Sequence, residues 1–477
     1  MTTTISFPFP FLILFFLLSN NAFLQQPLAA PSTSPHQFAR FDLIHRHSPL
    51  LTQRHDKSLH PPETPLERFK ELVHSDISRQ QRVSHRPSQR RKTAQEPTDN
   101  STSINYPLRS AAEIGVGQFF VTIDVGTPPK RFALIADTGS DLTWINCKSS
   151  KCSTCKKGFK FPPLKLFLPD KSSTFESIPC GSPKCKKDFS ILFSLNICPT
   201  PLSPCNYQYN YIDDSVAYGY FANEVVAFGT DAQNNAKTHK MLVGCTESSV
   251  GIKGLDGVLG LGYSNYSFAM TAARMYNNKF SYCLVDHLSP STKVGYLHFG
   301  ENSQKSTKMQ YTELLLRTQD QFYAVNVSGI SVGGQQLDIN PAIFDATGDG
   351  GVLLDTGSTL TSMALPAYKP LMEALTAPLK KFKRVNLDVS TLEFCFSSVG
   401  FDESIVPPLV WHFADGAEFV PPKKSYIIDA AKGVKCVGLY STRYPGASII
   451  GSIMQQNHLW EFDLENRKVG FGLSPCV

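Results

Sequence analysis

The chain has 477 residues, 42% of them apolar and 18% charged, with 31 glycines and 33 prolines. That length excludes one ordinary domain, and so few charges among so many turn formers point to a large β-rich core rather than a helical one. The net charge of +6 sits mainly in residues 31–110, where 13 Lys/Arg face 8 Asp/Glu, so the near-neutral remainder offers no case for nucleic-acid binding by the body.

Phe9–Leu18 is an apolar run of the length of a secretory signal core, and the small residues Ala29 and Ala30 follow it. Residues 1–30 therefore read as a signal peptide. No other run reaches the roughly 18 apolar residues of a membrane span, so none is expected. Residues 31–115 are rich in Arg, His, Gln, Ser and Pro. Within them Leu66, Phe69, Leu72, Val73 and Ile77 give 65–83 one apolar helical face. The tract 84–103 is nearly devoid of apolar residues and carries Arg90, Arg91 and Lys92 in a cleavable setting. A propeptide is the natural reading of the whole segment.

From Gly117 onward short apolar runs alternate with Gly, Asn and Asp punctuation, which predicts an all-β body. Few long helical patterns appear, and the clearest are near Ser267–Met275 and Ala364–Leu375. An internal repeat sets the architecture. The run from Phe132 into Asp137-Thr138-Gly139-Ser140 recurs from Gly351 into Asp355-Thr356-Gly357-Ser358. Each copy is followed downstream by an apolar pair and a glycine, Val258-Leu259-Gly260 and Ile449-Ile450-Gly451. Two homologous β lobes are expected, residues 116–300 and 301–477, the first with a cysteine-rich insertion over 147–205.

Each repeat places a carboxylate at the end of a buried strand, with Gly for a tight turn and Thr and Ser hydroxyls to hold it. A pseudo-twofold between the lobes would bring Asp137 and Asp355 together. Two carboxylates so close cannot both ionise easily and titrate as a unit. The ionised one can take a proton from a water attacking a peptide carbonyl, while the protonated one stabilises the oxyanion. Such chemistry needs no metal, nucleotide or other cofactor.

The twelve cysteines read as disulfides in an oxidising compartment. Zinc is the weighed alternative for Cys147, Cys152, Cys155, Cys180 and Cys185, disfavoured because no His lies near them. Sequons at Asn100, Asn265 and Asn326 fit glycosylation on the secretory route. Lys148, Lys151, Lys156, Lys157, Lys160, Lys184, Lys186 and Lys187 read as a solvated loop rather than a nucleic-acid surface.

From Gly117 to Val477 the chain resembles the pepsin-like aspartic proteases, and within them the plant nepenthesin-like branch. The resemblance rests on both Asp-Thr-Gly-Ser motifs, Asp256–Gly262, Phe280–Leu284 and Ile449–Asn457, with Phe41–Pro49 in the propeptide. It implies the bilobal fold of that family and an endopeptidase acting on polypeptides at acid pH. It also implies a zymogen inhibited by its own propeptide, working as a monomer. Thr138 and Thr356 would cross-link the lobes beneath the pair, and Ser140 and Ser358 would bond the outer carboxylate oxygens. Tyr211 would be the flap tyrosine and Trp144 its partner. Ile212, Asp213 and Asp214 stand where family flaps carry glycine, a departure bearing on flap mobility and preference. The implied bridges are Cys147–Cys152, Cys155–Cys245, Cys180–Cys205, Cys185–Cys198, Cys283–Cys476 and Cys395–Cys436; spacing alone does not choose among pairings. Relatives of this fold that inhibit cell-wall-degrading enzymes have damaged motifs, whereas both are intact here. The expected address is the secretory pathway, ending in the apoplast or vacuole, with the plastid as a minority alternative.

Overall fold

The computed structural model describes residues 39–45, 119–148, 165–195, 198–210, 216–230, 236–250, 256–286, 295–301, 308–316, 321–387 and 392–476, together with Leu66. All but the first few of these fall in the two halves of the repeat, and strands dominate both. The strand Phe119–Val125 turns back through Gly126–Pro129 into Lys130–Asp137. From Phe132 to Asp137 every residue is buried, because the strand is covered on both faces. Phe132, Leu134 and Ala136 enter the main apolar cluster, whereas Ala133 and Ile135 enter a second cluster. Val352–Leu354 repeats this arrangement, with Val352 and Leu354 on one side and Leu353 on the other.

Each aspartate strand gains a parallel neighbour from the apolar-Gly element of its own half. Leu134–Asp137 runs beside Gly257–Gly260, and Val352–Leu354 runs beside Ser448–Ile450. Gly260 and Gly451 come so close to the opposing backbone that a Cβ would lie 2.8 Å from Asp141 C and 2.3 Å from the Leu360 carbonyl oxygen. Only glycine fits at either position. The strand after each motif closes the same figure. Trp144–Asn146 pairs with Ala236–Val250, and Thr361–Ala364 with Leu439–Thr442, both in parallel.

Beneath these lies a six-stranded antiparallel sheet drawn from both halves. Its order is Gln310–Leu315, Lys468–Leu473, His458–Asp463, Lys279–Cys283, Gly295–Phe299 and Ala39–His45. Phe280 stacks on Phe462 across it at 4.6 Å. Ala39–His45 lies within the segment read as a propeptide, yet Phe41 and Leu43 are core residues. The strand also reaches the first lobe through Ile44 opposite Phe120. The predicted helix over 65–83 lies outside the described residues except for Leu66.

The two expected helices are Phe268–Met275, capped by the Ser267 side chain, and Leu365–Thr376. Five disulfides join described cysteines, and the pairings correct the expectation in the insertion. Cys147 pairs with Cys245, not Cys152, because strand register sets Ile145 opposite Cys245 and leaves Cys147 beside it. That excludes the implied Cys155–Cys245 bridge; Cys152 and Cys155 lie outside the described residues. Cys185 pairs with Cys205, both buried among Phe189, Phe193 and Tyr207, and Cys180 pairs with the exposed Cys198. The implied Cys180–Cys205 and Cys185–Cys198 pairs are therefore exchanged. The sulfurs of Cys180, Cys185 and Cys198 all lie within 4.8 Å of one another, so the two pairings compete within one cluster. Cys283–Cys476 and Cys395–Cys436 join as the resemblance implies.

Candidate active site

Asp137 and Asp355 end their strands as buried carboxylates, 2% and 1% exposed. The turn beyond each holds its carboxylate in the same way. Gly139 N donates to Asp137 Oδ1 at 2.9 Å and Ser140 Oγ to Asp137 Oδ2 at 2.7 Å. Gly357 N donates to Asp355 Oδ1 at 2.8 Å and Ser358 Oγ to Asp355 Oδ2 at 2.9 Å. A donor on each oxygen fixes the plane of the carboxyl.

The residues next to the aspartates tie the two turns together. Thr138 N donates to Thr356 Oγ1 at 3.1 Å, and Thr356 N donates to Thr138 Oγ1 at 2.9 Å. Each hydroxyl then donates across the seam, Thr138 Oγ1 to the Leu354 carbonyl at 3.2 Å and Thr356 Oγ1 to the Ala136 carbonyl at 2.9 Å. Four reciprocal bonds, spanning 216 to 220 positions, join the two turns that carry the carboxylates. Matching bonds extend outward, from Gly262 N to the Ser140 carbonyl and from Ser452 N to the Ser358 carbonyl.

Three further groups at this site escaped the sequence reading. Tyr209 Oη donates to Asp141 Oδ1 at 2.6 Å, and Asp141 is 2% exposed. The signal was present, since Asp141 stands where the second copy has Thr359. Gln321 reaches from the second half to the first, its Nε2 donating to the Gly139 carbonyl at 3.2 Å. Tyr282 Oη donates to Gln455 Oε1, and Gln455 Nε2 donates to the Ile450 carbonyl beside the Asp355 strand. Burial pushes the Tyr282 hydroxyl well above its ordinary pKa, with the charge of Asp355 adding to the effect.

Trp144 is fully buried in the second apolar cluster, paired in register with Gly244 and Val258. Tyr211, Ile212, Asp213 and Asp214 lie outside the described residues. So do Asn100, Lys151, Lys156, Lys157 and Lys160. Asn265 and Asn326 are exposed, and the Asn265 Oδ1 accepts from Arg274 at 2.6 Å. Lys148, Lys184, Lys186 and Lys187 are exposed. Among the described residues no helix is long and apolar enough to cross a membrane.

Family models described as the xylanase inhibitor N-terminal and C-terminal regions match residues 119–301 and 322–472. Aspartyl protease family protein 2 of Arabidopsis thaliana is 33% identical over 438 residues, covering 90% of this chain and 85% of that protein. Aspartic proteinase nepenthesin-1 of Nepenthes gracilis is 29% identical over 382 residues, covering 78% of this chain and 82% of that one. The crystal structure of basic 7S globulin from soybean superposes with a TM-score of 0.60 at 19% identity, over 75% of this chain and 94% of that chain. At that identity the likeness speaks to the fold alone.

Proposed function

The chain belongs to the pepsin-like aspartic protease family, in its plant nepenthesin-like branch, and from that membership we propose that it is an aspartic endopeptidase acting at acid pH through Asp137 and Asp355. The observation that carries this reading is the reciprocal threonine bonding beneath two identically held carboxylates. One proton is shared between the carboxyls, as is general for aspartic proteases. The ionised carboxylate takes a proton from a water held between them as that water attacks the scissile carbonyl. The protonated partner donates to the forming oxyanion, and a carboxyl then protonates the leaving nitrogen. Ser140 and Ser358 each bond one oxygen of their carboxyl and Gly139 and Gly357 the other, which fixes both carboxyls for the water. Tyr211 closes over the substrate as flap.

The chain enters the secretory pathway with residues 1–30 as signal and 31–115 as an inhibitory propeptide, leaving lobes 116–300 and 301–477. Apoplast or vacuole is its destination. The sheet position of Ala39–His45 supports a proform in which this segment is part of the fold. Glycans on Asn265 and Asn326 are consistent with their exposure.

A non-catalytic binding protein is the second reading, favoured by the descriptions of the matching family models. The intact motifs favour the enzyme. Asp137→Asn and Asp355→Asn should each cut peptide cleavage by several orders of magnitude without unfolding the chain. Pepstatin-sensitive proteolysis at acid pH by the processed wild type, lost in both variants, supports the enzyme. A folded, processed wild type with no such activity makes it a binding protein.

A further inference from the structure

On the outer face of the four-stranded sheet of the second half, three side chains form a hydrogen-bonded series that the aspartate chemistry does not use. Ser331 stands on Val327–Val332, His412 on Leu409–Phe413 and Glu418 on Glu418–Phe419. Ser331 Oγ lies 2.8 Å from His412 Nε2, and His412 Nδ1 lies 3.1 Å from Glu418 Oε1. A carboxylate at Nδ1 places the ring proton there, so Nε2 accepts and the serine hydroxyl donates. Alternation along the strands sends Ile330, Trp411 and Phe413 into the core and leaves Ser331 and His412 on the opposite face.

Two neighbours complete the arrangement. Gly329 is in register with His412, and Gln336 is in register with Ser331. A Cβ at residue 329 would lie 2.0 Å from Gln336 Nε2, so the bare glycine is what lets that amide lie across the strand. Ser331 is only 6% exposed. The Gln336 side chain that reaches over its strand is itself exposed, and the imidazole is 26% exposed, so solvent reaches the His412 side of the series.

We propose that Ser331, His412 and Glu418 form a second catalytic site, an acyl-transfer centre that hydrolyses small acyl esters. Nucleophile, base and orienting acid hold the geometry that identifies such a series whatever its place in the sequence. Ser331 Oγ bonds to the acyl carbon as its proton passes to His412 Nε2. The Gln336 amide donates to the carbonyl oxygen as charge develops there. The ester C–O bond breaks, and the alcohol leaves with the proton from His412. Water then adds to the acyl carbon, its proton going to His412, and the Oγ–C bond breaks as Ser331 recovers that proton. Ester and water become acid and alcohol, with nothing oxidised or reduced. An open sheet face suits a short acyl group such as acetyl.

The test uses the full chain near neutral pH with pepstatin present, a fluorophosphonate as covalent probe and p-nitrophenyl acetate as ester. One phosphonyl group should attach to Ser331, Oγ displacing fluoride, and mass mapping of the unmutated serine reads this whether or not a Ser331→Ala variant folds. His412→Gln should slow both labelling and ester cleavage on the order of 100-fold, and Glu418→Gln should slow them less. Label absent, label on another residue, or labelling of Ser331 indifferent to His412→Gln each overturns the proposal. Because the mass shift is independent of proteolysis, failure of the aspartate reading would leave this result standing, and the reverse.

Discussion

The Thr138 hydroxyl donates to the Leu354 carbonyl and accepts from the Thr356 amide, and Thr356 mirrors both bonds. Both residues are buried, at 0% and 3% exposure. Thr138→Ala strands a buried N–H and a buried C=O at once, which should cost about 1–3 kcal/mol of stability. Thr138→Ser keeps the hydroxyl and should lie much closer to wild type. Denaturant unfolding of the pair of variants checks this, and equal stability of Ala and Ser would mean that the bonds across the seam carry little. The roles of these threonines were legible because they repeat in sequence. Gln321 and the Tyr282–Gln455 pair were not, since each acts across more than 170 positions with no local pattern to mark it. Tyr209 was hidden differently. Its partner Asp141 breaks the repeat, but a broken repeat does not say which residue has come to meet it.

At the level of elements, the two lobes, both aspartate strands and the two helices follow from periodicity and repetition, which are local signals. Strand partnership is not local, and there the sequence was silent. Cys147 and Cys245 lie 98 positions apart, and their pairing depends on the parallel register of Trp144–Asn146. Ala39–His45 gave no strand signal in a segment whose composition reads as polar, although its alternation puts Phe41 and Leu43 inward. Phe41 packs edge-on against Phe268 at 6.0 Å and Phe299 at 6.2 Å. Phe41→Ala should therefore destabilise the full-length chain by about 3 kcal/mol, the scale of a large core truncation. If the segment leaves on maturation, a chain beginning near residue 116 cannot feel the change. Thermal unfolding of full-length wild type and variant measures it, and an unshifted midpoint would mean that the strand adds little to the folded proform.

The whole molecule is joined by the six-stranded sheet, and one cross-strand row on it couples that junction to pH. Arg40, His298, Ser281, Glu461, Gly470 and Tyr311 follow one another across its six strands. Arg40 also lies over the Tyr296 ring at 4.2 Å. His298 is held below its ordinary value of 6.5, chiefly by burial and further by the charge of Arg40. The Glu301 carbonyl and the Glu461 carboxylate oppose this without cancelling it. Tyr311 Oη occupies Glu461 Oε1, and Lys279 is committed to Glu301 and Asp463. Above about pH 6.5 His298 is neutral in folded and unfolded chains alike, and its burial costs nothing in protonation. As pH falls below that value the unfolded chain takes up a proton that the folded chain refuses, so stability declines until the lower folded value is passed. His458, also buried and lowered, adds a similar slope that does not involve Arg40. Detaching Ala39–His45 removes the Arg40 charge and uncovers one side of His298, so proton uptake favours its release. His298→Gln should flatten the fall, leaving the variant progressively more stable relative to wild type as pH drops from 7 toward 4. Unfolding midpoints of both full-length chains across that range decide the matter: a constant difference between them would show that His298 does not couple the segment to pH.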